Sequence, residues 1–384
     1  MVYTLRMATT RAVSRRGFLG GVAMGSVGLA SVDVWTQTRA SDGPAPAVAG
    51  YDGLVKLAAN ENNWGPSPAV MAAMTDAFKY SNRYSYPDGG LVQAIATHHG
   101  VPADHVLIGA GSGEMLDAAG SALLAGGKKV LGVEPTFGAV YQHATGLNCE
   151  AITVPLTKDY HQDIDAMLAA AKAHASELGF VYLCNPNNPT GVVVTASDVR
   201  RLLDGLPAGV PVLVDEAYHH FVDDPAYATS LPYVAEGRPV IVTRTFSKIA
   251  ALAGMRLGYA IAAPPMIKRL KAYASSSVNA LVKWGGVAAL KDTAHDTTVK
   301  RDTIALRQKT VAAVKGLGYD SIPSQANFFM IDIKREVAPV IEAFKKEGVA
   351  VGRPFPPMTK YLRVSVGTAG DMEKFVAAFR KVFA

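Results

Sequence analysis

The sequence predicts an α/β fold built around a mainly parallel sheet. Short apolar runs, each the length of one strand, alternate with longer segments in which apolar residues recur every three or four positions. This alternation is typical of strand–helix–strand units, whose helices cover both faces of a parallel sheet. The chain has 384 residues, 49% of them hydrophobic, which is enough to bury a core in about two or three domains.

The individual elements follow from the same periodicities. Strands are predicted at Val130–Val133, Phe180–Leu183, Pro211–Val214 and Pro239–Val242, with a further apolar run at His105–Ile108. Helices are predicted at Ala69–Phe78, Ile164–Ala175, Ser197–Leu203, Val299–Val314 and Met372–Val382. With only two cysteines the chain is not a disulfide scaffold, and Cys149 and Cys184 are expected to be buried free thiols.

The first 40 residues carry features of a targeting segment. They contain five arginines and one aspartate, so +4 of the formal net charge of +6 lies there. Arg15-Arg16 precedes a short, glycine-interrupted apolar run, and this order resembles a twin-arginine export signal. Residues 1–40 are therefore expected to direct export to the periplasm, and residues 41–53 to form a linker.

The remaining residues argue against two classes of partner. Residues 41–384 are nearly neutral, so no nucleic-acid partner is expected. After residue 40 no uncharged apolar run reaches the roughly 18 residues of a membrane span, so no stable membrane association is expected either.

Three motifs follow predicted strands and contain residues suited to ligand binding. Gly109-Ala110-Gly111-Ser112-Gly113-Glu114 lacks the third glycine of a dinucleotide fingerprint, but its turn leaves N–H groups free for an anion. The loop Asn185–Gly191 presents three asparagine amides. Asp215, in Asp215-Glu216-Ala217-Tyr218, ends an apolar strand, where burying a carboxylate is costly unless it meets a cation.

A fourth motif combines groups that suit a phosphate and a carbonyl. Thr243-Arg244-Thr245-Phe246-Ser247-Lys248 is followed by Gly254-Met255-Arg256. Hydroxyls and an arginine can bind phosphate, and a lysine can form an imine with an aldehyde. Taken separately, each of the four motifs has an ordinary alternative, namely a tight turn, a loop, an exposed strand end or a solvated lysine.

Together and in this order, the four motifs resemble the fold-type I enzymes that use pyridoxal 5'-phosphate. Within the class I/II aminotransferases they are similar to the histidinol-phosphate aminotransferase group, and the likeness covers about residues 54–384. It implies a large cofactor-binding domain of residues 81–279 with the mainly parallel sheet, and a smaller α/β domain of residues 54–80 and 280–384. It also implies a homodimer that transfers an amino group from an amino acid to a 2-oxo acid.

The resemblance also implies a role for particular residues. Lys248 would form the internal aldimine, Asp215 would keep the ring nitrogen protonated, and Tyr218 with Asn188 would bind the phenolic oxygen. Phe137 would stack on the cofactor ring. The implied phosphate site comprises Ser112, Gly113, Glu114, Thr245, Ser247, Arg256 and, across a dimer interface, Tyr86. The implied substrate-binding residues are Asn60, Arg353 and Arg363, the last gripping the α-carboxylate.

The substrate and the reaction type are less narrowly defined. Gly113 stands where the group usually carries an acid, and an exported enzyme would not meet histidinol phosphate, so an aromatic or basic amino donor is expected. Two alternatives stay open: a decarboxylase, lyase or amino-acid oxidase that uses the same cofactor, and a non-catalytic binding protein. The pairs His98-His99 and His219-His220 lack further ligands at metal-binding spacing, so no metal site is expected.

Overall fold

The structure, a computed structural model, describes residues 53–84 and 87–384. The predicted export signal, all of the predicted linker except Gly53, and Tyr86 lie outside these residues. The strands are β1 Val55–Leu57, β2 Val106–Gly109, β3 Lys129–Glu134, β4 Ala151–Pro155, β5 Leu178–Cys184, β6 Val212–Asp215, β7 Val240–Thr245, β8 Gly258–Ala262, β9 Phe328–Asp332, β10 Val349–Val351 and β11 Tyr361–Ser365.

Helices connect and flank these strands. They are α1 Pro68–Asp76, α2 Leu91–His99, α3 Ser112–Leu123, α4 Ala139–Gly146, α5 Ile164–Ala173, α6 Ala196–Gly205, α7 Leu231–Ala235, α8 Pro264–Lys271, α9 Ala280–Lys291, α10 Thr293–Lys315, α11 Val337–Lys346 and α12 Ala369–Val382. None of the described helices combines the length and the apolar character needed to cross a membrane.

Seven strands form one sheet in the order β2-β8-β7-β6-β5-β3-β4. β8 is antiparallel to both of its neighbours, and the remaining pairs are parallel. Every residue of β6 and β8 is buried, because helices cover both faces, and this explains why their sequences lack an apolar–polar alternation. The predicted α/β fold with a mainly parallel sheet is confirmed.

The strand order brings three of the sequence motifs together. In the sheet Cys184 pairs with Asp215, and Asp215 pairs with Thr243. The loops that leave β5, β6 and β7 therefore begin side by side at one edge, which is where parallel sheets place their ligands.

Predicted and observed elements differ mainly at their ends. The helix predicted from Val299 begins at Thr293, where the Asp292 carboxylate accepts a hydrogen bond from His295 N at 3.3 Å. Its first turn is mostly polar and exposed, so it contributed no apolar periodicity. The helix predicted to reach Phe78 ends at Asp76 and continues as the 3-10 turn Ala77–Tyr80.

The other four strands form two small pairs around a second core. β1 pairs in parallel with β10, and β9 pairs antiparallel with β11. Phe329, Phe344, Phe375 and Phe379 fill the space between these strands and α11 and α12. Because all described residues belong to one compact unit, the predicted division into two domains stays a prediction.

Both cysteines are free thiols. Cys184 is buried as expected, and burial raises the pKa of its thiol to about 12. Cys149 is only partly buried, so the prediction of a buried thiol was wrong there. It lies three residues beyond the end of α4, where the chain passes along the surface.

A buried ion pair joins the ends of β6 and β7. Arg244 and Glu216 are 5% and 1% exposed, and Arg244 donates from Nη2 and Nε to Glu216 Oε2 at 2.7 and 3.1 Å. Thr229 Oγ1 and Ser230 N also donate to the same carboxylate. These bonds replace the hydration that both charges lose on burial.

We predict that removing one partner of this pair destabilises the protein strongly. Arg244→Met should lower the free energy of unfolding by about 3–5 kcal/mol, because Glu216 is then buried without a counter-charge. The double variant Arg244→Met, Glu216→Leu should recover most of the loss, since it buries no charge. Urea unfolding followed by circular dichroism measures both, and equal midpoints for the two variants would contradict the prediction.

Candidate active site

A cavity of about 360 Å³ lies at the edge of the sheet where β5, β6 and β7 end. The predicted site residues that line it are Asn60, Ser112, Gly113, Phe137, Asn188, Asp215, Tyr218, Thr245, Ser247, Lys248, Arg256, Arg353 and Arg363. The other lining residues are Ala59, Glu61, Thr136, Ala217, Ala253 and Phe355. Residues separated by up to three hundred positions thus share one site.

One predicted residue within the described part of the chain, Glu114, does not line the cavity, and Tyr86 lies outside the described residues. The Glu114 side chain instead accepts hydrogen bonds from Ala110 N at 2.5 Å and from Ser276 N at 2.8 Å. Burial alone would raise the pKa of this carboxyl, but these bonds bring it below its usual range. Only the backbone N–H of Glu114 is thus left to act as the predicted phosphate donor.

Lys248 lies just beyond the end of β7, with its amine held by backbone carbonyls. Its Nζ donates to Asn60 O at 3.0 Å and lies 5.6 Å from the centre of the Tyr218 ring. Burial and the positive charge of Arg363 lower the pKa of Lys248 to about 8. A substantial fraction of this amine is therefore neutral near pH 8, the form that attacks an aldehyde.

Asp215 places a carboxylate at the base of the cavity. It is 3% exposed, and its Oδ1 and Oδ2 accept hydrogen bonds from Thr243 Oγ1 at 3.3 Å and Tyr182 Oη at 3.5 Å. Burial raises the pKa of Asp215 to about 6, although these bonds and the Ala217 N–H oppose the rise. Because its two side-chain donors are neutral, this carboxylate can stabilise a cation placed against it.

The opposite side of the cavity suits an anion. Helix α3 begins at Ser112 without a side-chain cap on Gly111, so the N–H groups of its first turn are available. Gly111 has a φ of +87°, and a Cβ there would lie 2.3 Å from Arg256 Nη2. Only glycine therefore allows the Arg256 guanidinium to approach this helix end. Thr245 Oγ1 donates to Ser247 Oγ at 2.9 Å beside it.

A hydrogen-bonded network surrounds the Tyr218 hydroxyl. It accepts bonds from Asn60 Nδ2 at 3.1 Å and Asn188 Nδ2 at 3.3 Å. Asn188 Oδ1 in turn accepts from Arg363 Nη1 at 2.7 Å, and Asn60 Oδ1 accepts from Ser365 Oγ at 3.2 Å. The chain segment before α1 and strand β11 are thereby tied to the loops of the main sheet.

Arg363 is a buried arginine with one unused donor. It is 7% exposed, its Nη2 donates to Ala58 O at 2.7 Å, and its Nε is buried without a partner among the described residues. Burial lowers its pKa to about 10, so it remains charged at neutral pH. A carboxylate in the cavity would satisfy this N–H and neutralise the charge.

Phe355 is the lining residue of this region that the sequence did not single out. The guanidinium carbons of Arg353 and Arg363 each lie 4.4 Å from the centre of its ring. Its position two residues after Arg353 was the available signal, but the proline-rich stretch around it has no regular period from which to place the ring.

The three asparagines of the loop after β5 differ in what they contact: two bind the surrounding chain, and one lines the cavity. Asn185 exchanges two hydrogen bonds with the backbone of Val194, and Asn187 is bonded to Pro135 O and to the Thr136 hydroxyl. Only Asn188 of the three lines the cavity. The first two asparagines hold the loop so that the third can face the site.

Residues 52–379 match the profile of the family described as aminotransferase class I and II. The chain belongs to this family. The match spans nearly all of the described residues, including every strand given above and every helix except the last turn of α12. The cavity therefore lies within the part of the chain that defines an aminotransferase.

Individual relatives agree with this assignment. The histidinol-phosphate aminotransferase of Moorella thermoacetica is 36% identical over 343 residues, 87% of this chain and 87% of that protein. The aromatic amino acid aminotransferase of Rhodococcus jostii is 33% identical over 85% of this chain and 90% of that protein. A crystal structure of histidinol-phosphate aminotransferase from Sinorhizobium meliloti in complex with pyridoxal-5'-phosphate has a TM-score of 0.80 and 25% identity, covering 88% of this chain and 95% of that one.

The protein is accordingly a pyridoxal-phosphate-dependent aminotransferase of fold type I. When bound, the cofactor supplies an aldehyde, a phosphate and an electron-withdrawing ring. The cavity of this aminotransferase fits those groups: Lys248 offers an amine, Asp215 an uncompensated carboxylate, and the start of α3 with Arg256 an anion site. Among the described residues no group of three His, Cys, Asp or Glu side chains could hold a metal ion.

We predict that cofactor capture depends on pH through Lys248. The rate constant for reconstituting the apoenzyme should rise about tenfold per pH unit up to about pH 8 and then level off, because the neutral amine reacts and its pKa is lowered to about 8. Stopped-flow absorbance of the lysine-bound cofactor measures it.

The Arg363→Gln variant is the matched control for this pH profile. Because the charge of Arg363 helps to lower the pKa of Lys248, removing it should move the levelling-off to higher pH. A wild-type rate that keeps rising towards the ordinary lysine pKa of 10.5 would show that the amine is not perturbed.

Proposed function

We propose that this aminotransferase takes its amino group from an aromatic amino acid and passes it to a 2-oxo acid. The observation that carries the proposal is the stack of Phe355 with the guanidinium groups of Arg353 and Arg363, each 4.4 Å from the ring centre. Arg353 is exposed, so its planar guanidinium can pack against the ring of a substrate by cation–π interaction. The 33% identical relative from Rhodococcus jostii, named an aromatic amino acid aminotransferase, supports the same donor class.

The charges of the cavity favour an aromatic donor over a basic one. Its lining contains Lys248, Arg256, Arg353 and Arg363 but only two acids, Glu61 and Asp215. Once Arg256 faces the cofactor phosphate and Arg363 the substrate carboxylate, Arg353 remains beside the substrate side chain. A lysine or arginine side chain would be repelled there, with Glu61 as its only acidic partner on the lining.

We assign the following roles to the residues of the site. Lys248 holds the cofactor and, once released, its amine moves the proton at the substrate α-carbon. The Asp215 carboxylate stabilises the protonated ring nitrogen, which keeps the ring electron-withdrawing. Tyr218 and Asn188 orient the phenolic oxygen, and Arg363 with Asn60 orients the substrate. Support comes from the distances given above and from the order of the motifs.

We also propose that the protein is exported by the twin-arginine route and works in the periplasm. The support is Arg15-Arg16, the apolar run behind it and the concentration of positive charge in the first 40 residues. This route carries folded proteins, which suits an enzyme that must acquire its cofactor first. Several relatives are named histidinol-phosphate aminotransferases, but an enzyme outside the cytoplasm would not meet that biosynthetic substrate.

A homodimer is the proposed assembly, with Tyr86 reaching the cofactor phosphate of the partner subunit. The support is the family resemblance around Ser85-Tyr86-Pro87-Asp88. Two exposed apolar side chains precede this segment in the sequence, Met71 at 48% and Phe78 at 61%, and a dimer interface would cover such side chains. Light scattering of the purified holoenzyme tests it, and the mass of a single chain would contradict it.

Amino donors should separate by their side chains in a spectroscopic screen. We expect L-phenylalanine and L-tyrosine to convert the cofactor to its amine form with a kcat/KM at least about tenfold above that of L-lysine or histidinol phosphate. An aminotransferase stops at this half-reaction until a 2-oxo acid is added. The same screen therefore distinguishes transamination from decarboxylation or oxidation.

The Arg353→Gln variant identifies which substrate Arg353 serves. For an aromatic donor, kcat/KM should fall about three- to tenfold through loss of the cation–π contact. For a phosphorylated donor it would fall about a hundredfold or more, because a charge-assisted bond is lost. A preference for histidinol phosphate that collapses in this variant would overturn the aromatic assignment.

Export should depend on the arginine pair. Replacing Arg15 and Arg16 together by lysine should leave the protein in the cytoplasm, while Arg11→Lys, which keeps the pair, should not. Cell fractionation with antibody detection measures the distribution. Equal periplasmic amounts of both variants would contradict the twin-arginine proposal.

A further inference from the structure

A second cavity, of about 580 Å³, lies apart from the one that contains Lys248. The two cavities have no lining residue in common. The second is bounded by α10, by the segment 321–325 before β9, and by the loops that contain Asp159 and Asp223. None of the roles assigned above uses these residues.

Arg307 is the unusual feature of its wall. It lies in the middle of α10, its side chain is only 6% exposed, and burial lowers its pKa. Its Nη1 donates to Ala326 O at 2.7 Å, and its Nη2 lies 3.7 Å from Asp223 Oδ1, beyond hydrogen-bond distance. A guanidinium that has lost most of its hydration gains from an anion placed beside it.

Three carboxylates line the same cavity as this guanidinium. They belong to Asp159, Asp223 and Asp224, and Asp223 forms the ion pair with Arg307. Asp224 Oδ1 accepts from Ala226 N at 2.8 Å, which fixes its side chain, and Asp223 N donates to Gln325 Oε1 at 2.9 Å, which fixes its backbone. The cavity therefore offers opposite charges within a few ångströms, the spacing of the two charges of an amino acid.

Part of the cavity wall is apolar. Val192, Val193, Ile322 and Phe329 line it and are 8%, 5%, 3% and 0% exposed. Such a wall can pack against an apolar side chain. The cavity also borders the active-site loop, because Gln325 N donates to Gly191 O at 2.8 Å.

We propose that this second cavity binds a free α-amino acid with an apolar side chain, its carboxylate on Arg307 and its ammonium group on Asp223 and Asp224. The site is distinct from the catalytic one, and the proposal does not depend on which amino donor the enzyme uses. A bound carboxylate would add a charge-assisted hydrogen bond to the buried guanidinium of Arg307.

Calorimetry on the holoenzyme tests this binding. Aminooxyacetate is added first, because it captures the cofactor aldehyde and closes the catalytic site to amines. L-Leucine or L-phenylalanine should then bind with one site per chain. 4-Methylpentanoate and isoamylamine, which each lack one charge of leucine, should bind at least about tenfold more weakly.

Variants assign the binding to this cavity. Asp224→Asn keeps the acceptor for Ala226 N but removes the charge, and it should weaken binding at least about tenfold, as should Arg307→Gln. Asp302→Asn, on the same helix but outside the cavity, should bind as the wild type does. Asp224 is only half-buried, so its variant remains informative if Arg307→Gln does not fold.

Either of two results would overturn the proposal. One is the absence of binding of both amino acids to the blocked holoenzyme up to about 10 mM, where a site of useful affinity would be filled. The other is unchanged affinity in Asp224→Asn, which would leave the Arg307–Asp223 contact as a structural ion pair. Because turnover is blocked throughout, neither result bears on the donor proposed above.

Discussion

A carboxylate buried at the end of a central strand is the constraint around which the active site is arranged. Asp215 is 3% exposed and its side-chain hydrogen bonds come from two neutral hydroxyls, so its charge is incompletely stabilised, and burial raises its pKa to about 6. A protonated ring nitrogen in contact with it would bring this pKa down again. In the proposed arrangement, the end of β6 would therefore fix where the cofactor ring binds.

A second constraint is the hydrogen-bonded network that joins the chain segments before and after the central sheet. The Asn188 side chain is bonded to both Tyr218 and Arg363, so one amide orients both of these side chains. Asn60 and Ser365 are bonded to each other and belong to the same network. With the roles proposed for Tyr218 and Arg363, substrate binding and cofactor orientation would share these hydrogen bonds.

Strand alternation explains why adjacent residues of one motif have different tasks. Successive side chains of a strand point to opposite faces. Thr243 accordingly donates to Asp215, and Thr245 donates to Ser247. Arg244, which lies between them in the strand, points to the opposite face, where it binds Glu216 and its Nη1 lies 3.5 Å from His99 Nδ1. The paired histidines of the sequence lie on this second face and belong to the packing around Arg244, as the charge interactions of His219 with His99 and Arg244 indicate.

The sequence by itself determined the fold class, because apolar periodicity is a local property of the chain, and the family that its strand-end motifs resemble implied most of the residues that line the cavity. It could not place Phe355, the side chain of Glu114 or the half-exposed Cys149, since each depends on which distant segment happens to pack beside it. The same holds for Arg307: one charged residue in an amphipathic helix gives no local sign that tertiary packing will bury it beside Asp223. Long-range contacts decided these positions.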